Sequence, residues 1–266
     1  MRTSVLIVAL MAYFIFPIGL QAQFGFSHEI GFISGAVAFQ SDYGVRGDFS
    51  TNAGNTGFGI GIVHYLNFSY QADCNCYTRN TYFNDHFKVR NEIDFHSTEL
   101  SHFGEFAESN TDEGRDLRDM TGRSSVFEIG TQLEYFPLSI RDFSAGAFPI
   151  APYVSLGIHF VNFNPSVMSS QGEITPTSTD VVFDPFLVGD GIYGGIDDTA
   201  RSTFAITWSA GIRYKLNVLS DLVIDARWHW YDSNWVDGLN PSNRPQNRAN
   251  DWIFWLNVGY IYYLGV

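Results

Sequence analysis

The segment Phe87-Lys88-Val89-Arg90-Asn91-Glu92-Ile93-Asp94-Phe95-His96 alternates between two kinds of side chain along its whole length. One set is mostly apolar and consists of Phe87, Val89, Asn91, Ile93 and Phe95; the other is polar and consists of Lys88, Arg90, Glu92, Asp94 and His96. Successive residues of a β-strand point to opposite faces of the sheet, so the segment predicts a strand with one apolar and one charged face. Soluble sheets and membrane barrels both contain such strands, and the rest of the chain decides between them.

Eight strand-like segments are spread along the chain, and together they predict an all-β protein. They are 28–39, 57–69, 87–96, 127–135, 152–163, 203–216, 222–230 and 251–264. Most are close to the length of about 9–11 residues that a tilted strand needs to cross a membrane. Aromatic residues make up 17% of the chain, more than a soluble β-sandwich usually contains. Such a content is typical of barrels with aromatic belts at both membrane interfaces.

The connections between these segments differ in length. With the start of the folded chain in the periplasm, the outward connections are 41–56, 99–124, 164–201 and 232–250, and the inward ones are 70–85, 137–150 and 217–221. The outward set is longer on average, as in outer-membrane barrels, although two inward turns are also long. An even strand count closes the sheet, so no strand edge stays unpaired in lipid. The sequence therefore predicts an eight-stranded, antiparallel, up-and-down transmembrane β-barrel in the outer membrane.

The first residues have the pattern of a cleaved signal peptide. Arg2 supplies a positive charge, an apolar run follows from Val5 to Leu20, and Ala22 is a small residue at the expected cleavage point. The run is shorter than the roughly 20 apolar residues of a spanning helix, and no basic flank follows it. We expect 1–22 to be a signal peptide and 23–266 to form one barrel domain that is exported to the outer membrane.

The charges on the predicted lumen faces are balanced. They are Lys88, Arg90, Arg213, Lys215 and Arg227 against Glu92, Asp94, Glu128, Glu134 and Asp225. Because side chains fill the interior of a small barrel, this set predicts a plug of ion pairs and not an open channel. The net charge of −13 then places the acidic excess in loops and turns, notably in the third outer connection, at Glu173, Asp180, Asp184, Asp190, Asp197 and Asp198. An acidic chain is not expected to bind nucleic acid.

No motif in the sequence predicts a catalytic, cofactor-binding or metal-binding residue. The segment Gly57-Phe58-Gly59-Ile60-Gly61 lacks the G-x-G-x-x-G spacing of a dinucleotide site and continues as a strand. Glycines at every second position instead predict a smooth strand face against bulky neighbours. The sequence contains no P-loop, no G-x-S-x-G and no H-E-x-x-H.

One compact group of residues could serve a hydrolase. His96, Ser97 and Glu99 lie together at the outward end of the third segment. Neighbouring strand residues point to opposite faces, so His96 and Ser97 are expected to point apart. We interpret His96, and likewise His159 and His229, as lumen residues within the charge plug.

Cys74 and Cys76 are separated by one residue. A disulfide between them would be strained and would close a loop too small to stabilise much. A metal site would need further ligands nearby, and none has convincing spacing. Two interpretations of Cys74 and Cys76 stay open: a pair of thiols in a turn, or a vicinal redox pair.

Several motifs, in order along nearly the whole chain after residue 22, resemble a family of Bacteroidota outer-membrane barrels that includes PorG. They are His28-Glu29-Ile30-Gly31, Val126 to Tyr135, Pro152 to Gly157, Phe163-Asn164-Pro165, Gly211 to Leu216 and Asn250 to Phe254. A closer likeness is to an uncharacterised flavobacterial branch that also has Ala72-Asp73-Cys74-Asn75-Cys76 and Tyr82 to Phe87. Asn257-x-Gly259-x-x-Tyr262-x-Leu264 resembles the C-terminal signal of the barrel-assembly machinery. The Cys-x-Cys turn and the long third outer loop depart from PorG itself.

The resemblance implies a part in type IX secretion or gliding. We expect a non-enzymatic barrel that is a structural or docking component of an envelope assembly, embedded in outer-membrane lipid and contacting secretion or motility proteins. One alternative is a lipid-modifying enzyme of the outer membrane. Another is a small surface adhesin or a barrel that stabilises the envelope.

Overall fold

Eight strands form one closed barrel in the computed structural model, which describes residues 27–45, 48–69, 82–175, 181–242 and 249–264. The expected signal peptide, Cys74 and Cys76 lie outside these residues. The strands are β1 (Ser27–Gln40), β2 (Thr56–Asn67), β3 (Phe87–Ser101), β4 (Met120–Tyr135), β5 (Ile150–Ser169), β6 (Arg201–Asn217), β7 (Ser220–Tyr231) and β8 (Trp252–Leu264). Each strand pairs antiparallel with the next, and β1 pairs antiparallel with β8 to close the sheet. The predicted fold class is confirmed.

Short helices lie in the connections. They are α1 (Phe49–Asn52), α2 (Tyr82–His86), α3 (Asp112–Asp119), α4 (Ile140–Ser144) and a 3-10 turn (Asp184–Leu187). We call the end with α1, α3 and the 3-10 turn the outer end, and the end with α2 and α4 the inner end. Among the described residues, no helix is long and apolar enough to cross a membrane.

Three strands extend by five residues or more beyond the predicted segments at the outer end. β3 continues to Ser101, β4 begins at Met120 and β5 continues to Ser169, so the connection expected at 99–124 is only 102–119. The reason is cross-strand pairing, since Glu99 pairs with Arg123 and the ladder continues to Ser101 opposite Thr121.

The turn expected at 217–221 is also shorter than predicted. β6 ends at Asn217 and β7 begins at Ser220, which leaves only 218–219 as the turn. Asp221 therefore belongs to β7, where its side chain is buried. Because Asp221 lies on β7 and not in the turn, its carboxyl group adds one acidic side chain to the lumen.

The barrel is apolar outside and charged inside. Large apolar side chains are exposed all round the wall, among them Phe32, Ile62, Phe95, Leu156, Phe204, Leu222 and Val258. The alternate positions on the same strands are buried and carry most of the Lys, Arg, Asp and Glu side chains of the sheet. A soluble barrel would show the opposite arrangement, so the wall is built to face lipid, as in an outer-membrane barrel.

Candidate functional site

Ion pairs fill the inner half of the lumen. Lys88 Nζ donates to Glu29 Oε1 at 2.6 Å, and Arg213 Nη1 donates to Glu29 Oε2 at 2.6 Å. Arg90 Nη1 donates to Glu134 Oε1 at 2.9 Å and also lies 3.2 Å from Asp225 Oδ2. We call this set the arginine network; it consists of Glu29, Lys88, Arg90, Glu92, Glu134, Arg213, Lys215, Asp221, Asp225 and Arg227. Side chains thus fill this half of the lumen, as the sequence predicted.

The predicted balance of five charges of each sign was incomplete. All ten predicted residues point inwards, but Glu29 and Asp221 join them, and both are at most 2% exposed. The first strand segment alternates imperfectly and does not predict a lumen position for Glu29, and the sequence pattern predicts Asp221 in a turn. Seven carboxylates therefore face five Lys and Arg side chains on the described strands, so part of the acidic excess lies in the lumen and not in the loops.

A second group of polar side chains lies in the outer half of the lumen around Glu128. Glu128 Oε2 is 2.7 Å from Nδ1 of His159 and 2.8 Å from Nδ1 of His229. Nδ1 of His96 lies 3.6 Å from Glu128 Oε1, which also accepts a 2.9 Å hydrogen bond from the Tyr231 hydroxyl. We call Glu128, His96, His159 and His229 the histidine cluster. Its members come from β4, β3, β5 and β7 and are at most 1% exposed.

The two groups meet at Glu92. Oε1 of Glu92 is 2.8 Å from Nε2 of His159 and accepts a hydrogen bond from the Gln132 side chain. Oε2 of Glu92 accepts a 2.9 Å bond from Arg227 and lies 3.2 Å from Nε of Arg90. The same carboxylate is therefore fixed by two guanidinium groups on one side and presented to an imidazole on the other.

Glycines on neighbouring strands make room for the histidine cluster. Gly130 pairs with His159 across the β4–β5 ladder, and a Cβ there would lie 2.1 Å from Cδ2 of the imidazole. Gly59 pairs with His96, and a Cβ there would lie 2.6 Å from that ring. Gly61 lies in the same way against Asp94. The alternating glycines of β2 thus form the smooth face against bulky side chains that the sequence predicted.

The structure does not bring His96, Ser97 and Glu99 together. His96 is 1% exposed and points into the lumen, whereas Ser97 belongs to the outward face of β3 and Glu99 is exposed. Ser97 and His96 therefore lie on opposite sides of the wall, as strand geometry predicts. His159 and His229 also point into the lumen, which confirms their interpretation as lumen residues.

The described parts of the outer connections fold over the barrel mouth, which the sequence does not predict. We call them the outer cap; they are residues 41–45, 48–55, 102–119, 170–175, 181–200, 232–242 and 249–251. Tyr43 stacks on His102 with ring centroids 4.7 Å apart, and His102 stacks on Phe186 at 5.6 Å. The Asp42 amide donates to Asp237 at 2.7 Å, so the first and last connections are tied together. Burial lowers the pKa of His102 from 6.5 to about 3, so this imidazole is neutral at pH 7.

A pocket of about 610 Å³ opens beside this stack. Its wall is mainly apolar and includes Phe103, Phe106 and Phe183, with the acidic side chains of Asp48 and Glu105 also in the lining. Asp48 accepts hydrogen bonds from the amide and the hydroxyl of Ser50, and these bonds lower its pKa.

Two short helices cover the inner end. The Arg141 amide of α4 donates to Asp85 of α2 at 3.0 Å, and the hydroxyls of Tyr82 and Tyr135 are 2.7 Å apart. Phe136 and Phe143 of α4 are buried, and Lys215 Nζ lies 5.3 Å from the centroid of the Phe143 ring. We call α2, α4 and residues 136–149 around α4 the inner platform. It covers the arginine network from below.

Comparisons with known proteins give likeness of structure alone. No family model and no curated protein matches the sequence. The chain is similar to a major outer membrane protein from Thermus thermophilus (10% identity, 89% of this chain and 99% of that chain covered, TM-score 0.44). It is also similar to Ail of Yersinia pestis, solved with the heparin analogue sucrose octasulfate (12%, 89% and 99%, TM-score 0.40), and to OprG from Pseudomonas aeruginosa (11%, 90% and 98%, TM-score 0.37). The fold assignment of this chain rests on its own closed sheet and inverted polarity.

Proposed function

We propose that this chain is a non-enzymatic outer-membrane barrel that acts as a docking component of an envelope assembly, in type IX secretion or gliding. The observation that carries the proposal is the filled lumen. The large lumen side chains Arg90, Arg213 and Arg227 are at most 1% exposed and each is ion-paired. Because side chains fill the lumen, the described strands leave no channel through the barrel. The two ends of the barrel are then the surfaces available to bind other proteins.

The structure of the inner platform supports the proposal that this end of the barrel contacts a periplasmic protein. Its two helices are held to each other by Asp85 and Arg141 and to the barrel by Tyr82 and Tyr135. On this base, Tyr82 is 62% exposed and Leu138 is 42% exposed. Aromatic side chains such as that of Tyr82 are enriched in protein interfaces relative to the rest of the surface.

The resemblance of the sequence to a known family indicates which kind of envelope assembly the chain belongs to in this proposal. The motifs of His28 to Gly31, Pro152 to Gly157 and Gly211 to Leu216 resemble PorG and its relatives, whose family is associated with type IX secretion and gliding. With the inner platform in the periplasm, the partners would be periplasmic or outer-membrane components of that machinery. The separation of Ser97 from His96 gives the enzyme alternative no support.

The test is a pull-down of the tagged chain from outer membranes solubilised in mild detergent, with bound proteins identified by mass spectrometry. We expect secretion or motility components in amounts comparable to the chain itself. The double variant Leu138→Glu/Val218→Glu charges two exposed apolar side chains at the inner end and leaves the Tyr82–Tyr135 contact in place. It is expected to lose these partners at least tenfold.

The matched control is Phe49→Glu/Val188→Glu, which places the same charges on two exposed apolar residues of the outer cap. This variant is expected to keep the partners. Recovery of the barrel alone, or equal loss in both double variants, would contradict docking through the inner platform. Lipid A mass spectrometry of cells with Ser97→Ala tests the enzyme alternative in parallel.

A further inference from the structure

The histidine cluster has the composition of a metal site. We propose that Glu128, His159 and His229, with His96 beside them, bind one divalent transition-metal ion such as Zn²⁺ inside the lumen. Two imidazoles and a carboxylate are a common ligand set for zinc, and imidazole suits the other late first-row divalent ions as well. The site was not predicted from sequence, because its ligands come from four strands and have no short spacing.

The ligand atoms already face one another. Nδ1 of His159 and Nδ1 of His229 both approach the same oxygen, Glu128 Oε2, at 2.7 and 2.8 Å. One nitrogen or oxygen atom from each of these three residues lies within 4.8 Å of the others. A tetrahedral zinc ion with bonds of about 2.0–2.1 Å holds neighbouring ligand atoms roughly 3.3 Å apart. An opening of roughly half an ångström between the side chains would therefore admit the ion.

The surroundings of His159 are those of a metal-bound histidine. In metal sites the second ring nitrogen almost always donates to a carboxylate or carbonyl, which fixes the ring. With Nδ1 on the ion, Nε2–H of His159 would donate to Glu92 Oε1, which is 2.8 Å away. Glu92 is in turn held by Arg90 and Arg227. The arginine network thus positions one ligand of the proposed site.

Buried polar atoms without partners point to the same place. Both ring nitrogens of His96 and Nε2 of His229 have no hydrogen-bond partner, although the two side chains are at most 1% exposed. Nδ1 of His96 lies 3.6 Å from Glu128 Oε1, so it is within reach of a fourth coordination position. An unsatisfied buried polar atom is costly, and coordination of an ion would remove part of that cost.

The charge of the lumen gives an independent argument. Seven carboxyl groups on the described strands face five Lys and Arg side chains, a formal excess of two negative charges in a closed interior when every carboxyl group is ionised. One divalent cation offsets this excess with all the imidazoles neutral. Protons on the imidazoles or on a carboxyl group would also offset it without any metal, and the experiment is designed to separate metal from protons.

The experiment measures zinc in the refolded barrel, without a polyhistidine tag. A second histidine pair must first be removed, because Nδ1 of His28 and Nε2 of His64 are 3.0 Å apart outside the lumen and could bind zinc on their own. Cys74 and Cys76 could also bind zinc through their thiolates. The background for all measurements is therefore His28→Gln/His64→Gln/Cys74→Ser/Cys76→Ser. The chain is refolded in detergent with Zn²⁺, dialysed against a chelator and analysed by plasma mass spectrometry, and its folding is checked by heat-dependent gel migration.

We expect about one zinc ion per barrel in this background and at least a tenfold loss on adding His159→Gln or Glu128→Gln. X-ray absorption of the loaded background should show two or three imidazole ligands, a result that does not depend on whether the variants fold. A folded background that keeps no zinc would overturn the proposal in favour of protons on the imidazoles or on a carboxyl group. Equal zinc content in the background and in folded Glu128→Gln would also overturn it, because the ion would then lie elsewhere.

Discussion

The two halves of the lumen neutralise buried carboxylates in different ways. In the arginine network, Glu29 takes one bond from Lys88 and one from Arg213, both at 2.6 Å. In the histidine cluster, Glu128 is contacted by three imidazoles and a tyrosine, and no Lys or Arg of the described residues forms an ion pair with it. Guanidinium groups carry their charge at any pH, whereas an imidazole is a cation only when it is protonated and as a neutral ring donates a hydrogen bond or binds a metal. The inner half is therefore neutralised by permanently charged side chains, whereas the neutralisation of Glu128 in the outer half varies with the state of its imidazoles.

Removing a cation from the arginine network should have the largest effect. Arg213→Met leaves Glu29 with Lys88 as its cationic partner and with a hydrogen bond from Asn67, and it removes the 3.3 Å contact to Glu134. Breaking a buried ion pair on one side costs about 3–5 kcal/mol, because it leaves an uncompensated buried charge. Denaturant unfolding of the barrel in detergent, followed by tryptophan fluorescence, measures this loss. A loss below about 1 kcal/mol would mean that water reaches the network and the plug is not dry.

A histidine without a carboxylate partner sharpens the comparison. His102 of the outer cap is buried against Tyr43 and Phe186, and burial lowers its pKa from 6.5 to about 3. Below pH 6.5 the unfolded cap binds a proton that the folded cap does not bind, so the cap loses stability as the pH falls from 6.5 towards 3. At about 1.4 kcal/mol per pH unit, the loss at pH 4.5 is about 2–3 kcal/mol.

Hydrogen exchange of residues 102–119 between pH 7 and pH 4.5, corrected for the intrinsic rate, reports this opening. The matched variant is His102→Gln, which keeps a polar side chain of similar size but does not titrate. We expect its cap to open with little dependence on pH. The same pH dependence in both proteins would assign the effect to other groups.

A substitution that disturbs the packing around the histidine cluster should give the next largest loss of stability. Gly130→Ala adds a methyl group 2.1 Å from Cδ2 of His159 and 2.5 Å from the Ile158 carbonyl oxygen, so the ring or the strand must move. Overpacking of this kind costs about 1–3 kcal/mol. The control is Thr131→Ala, an exposed neighbour on the lipid face, where little change is expected. If the unfolding curves of Gly130→Ala and Thr131→Ala coincide, the ring of His159 has room to move.

The sequence predicted the fold and most of the inner half because both depend on local alternation. Each strand segment shows by itself which side chains share a face, and this is how Lys88, Arg90 and Glu92 were placed in the lumen. Strand ends were less well predicted, because the pairing of Glu99 with Arg123 depends on the neighbouring strand. Asp221 was assigned to a turn for the same reason.

The histidine cluster could not be predicted, although all of its residues were interpreted as lumen residues. Whether His159 meets His229 depends on the register between strands that are not neighbours in the barrel. Alternation fixes the face of each residue but not its height relative to a residue on a distant strand. The outer cap is a similar case, since its contacts join connections that are far apart in the chain, such as Asp42 and Asp237.

An exposed ion pair of similar length tests whether burial is the reason for the large stability loss expected in the lumen. Arg123 Nη2 lies 2.9 Å from Glu99 Oε1, as close as several pairs of the lumen, but both side chains are more than half exposed. Water and salt screen such pairs, so Arg123→Met is expected to cost less than about 1 kcal/mol. Parallel unfolding with Arg213→Met compares the loss of one guanidinium in two environments. If the two losses were equal, the lumen would be as well solvated as the surface, and the charge excess around Glu128 would need no ion to offset it.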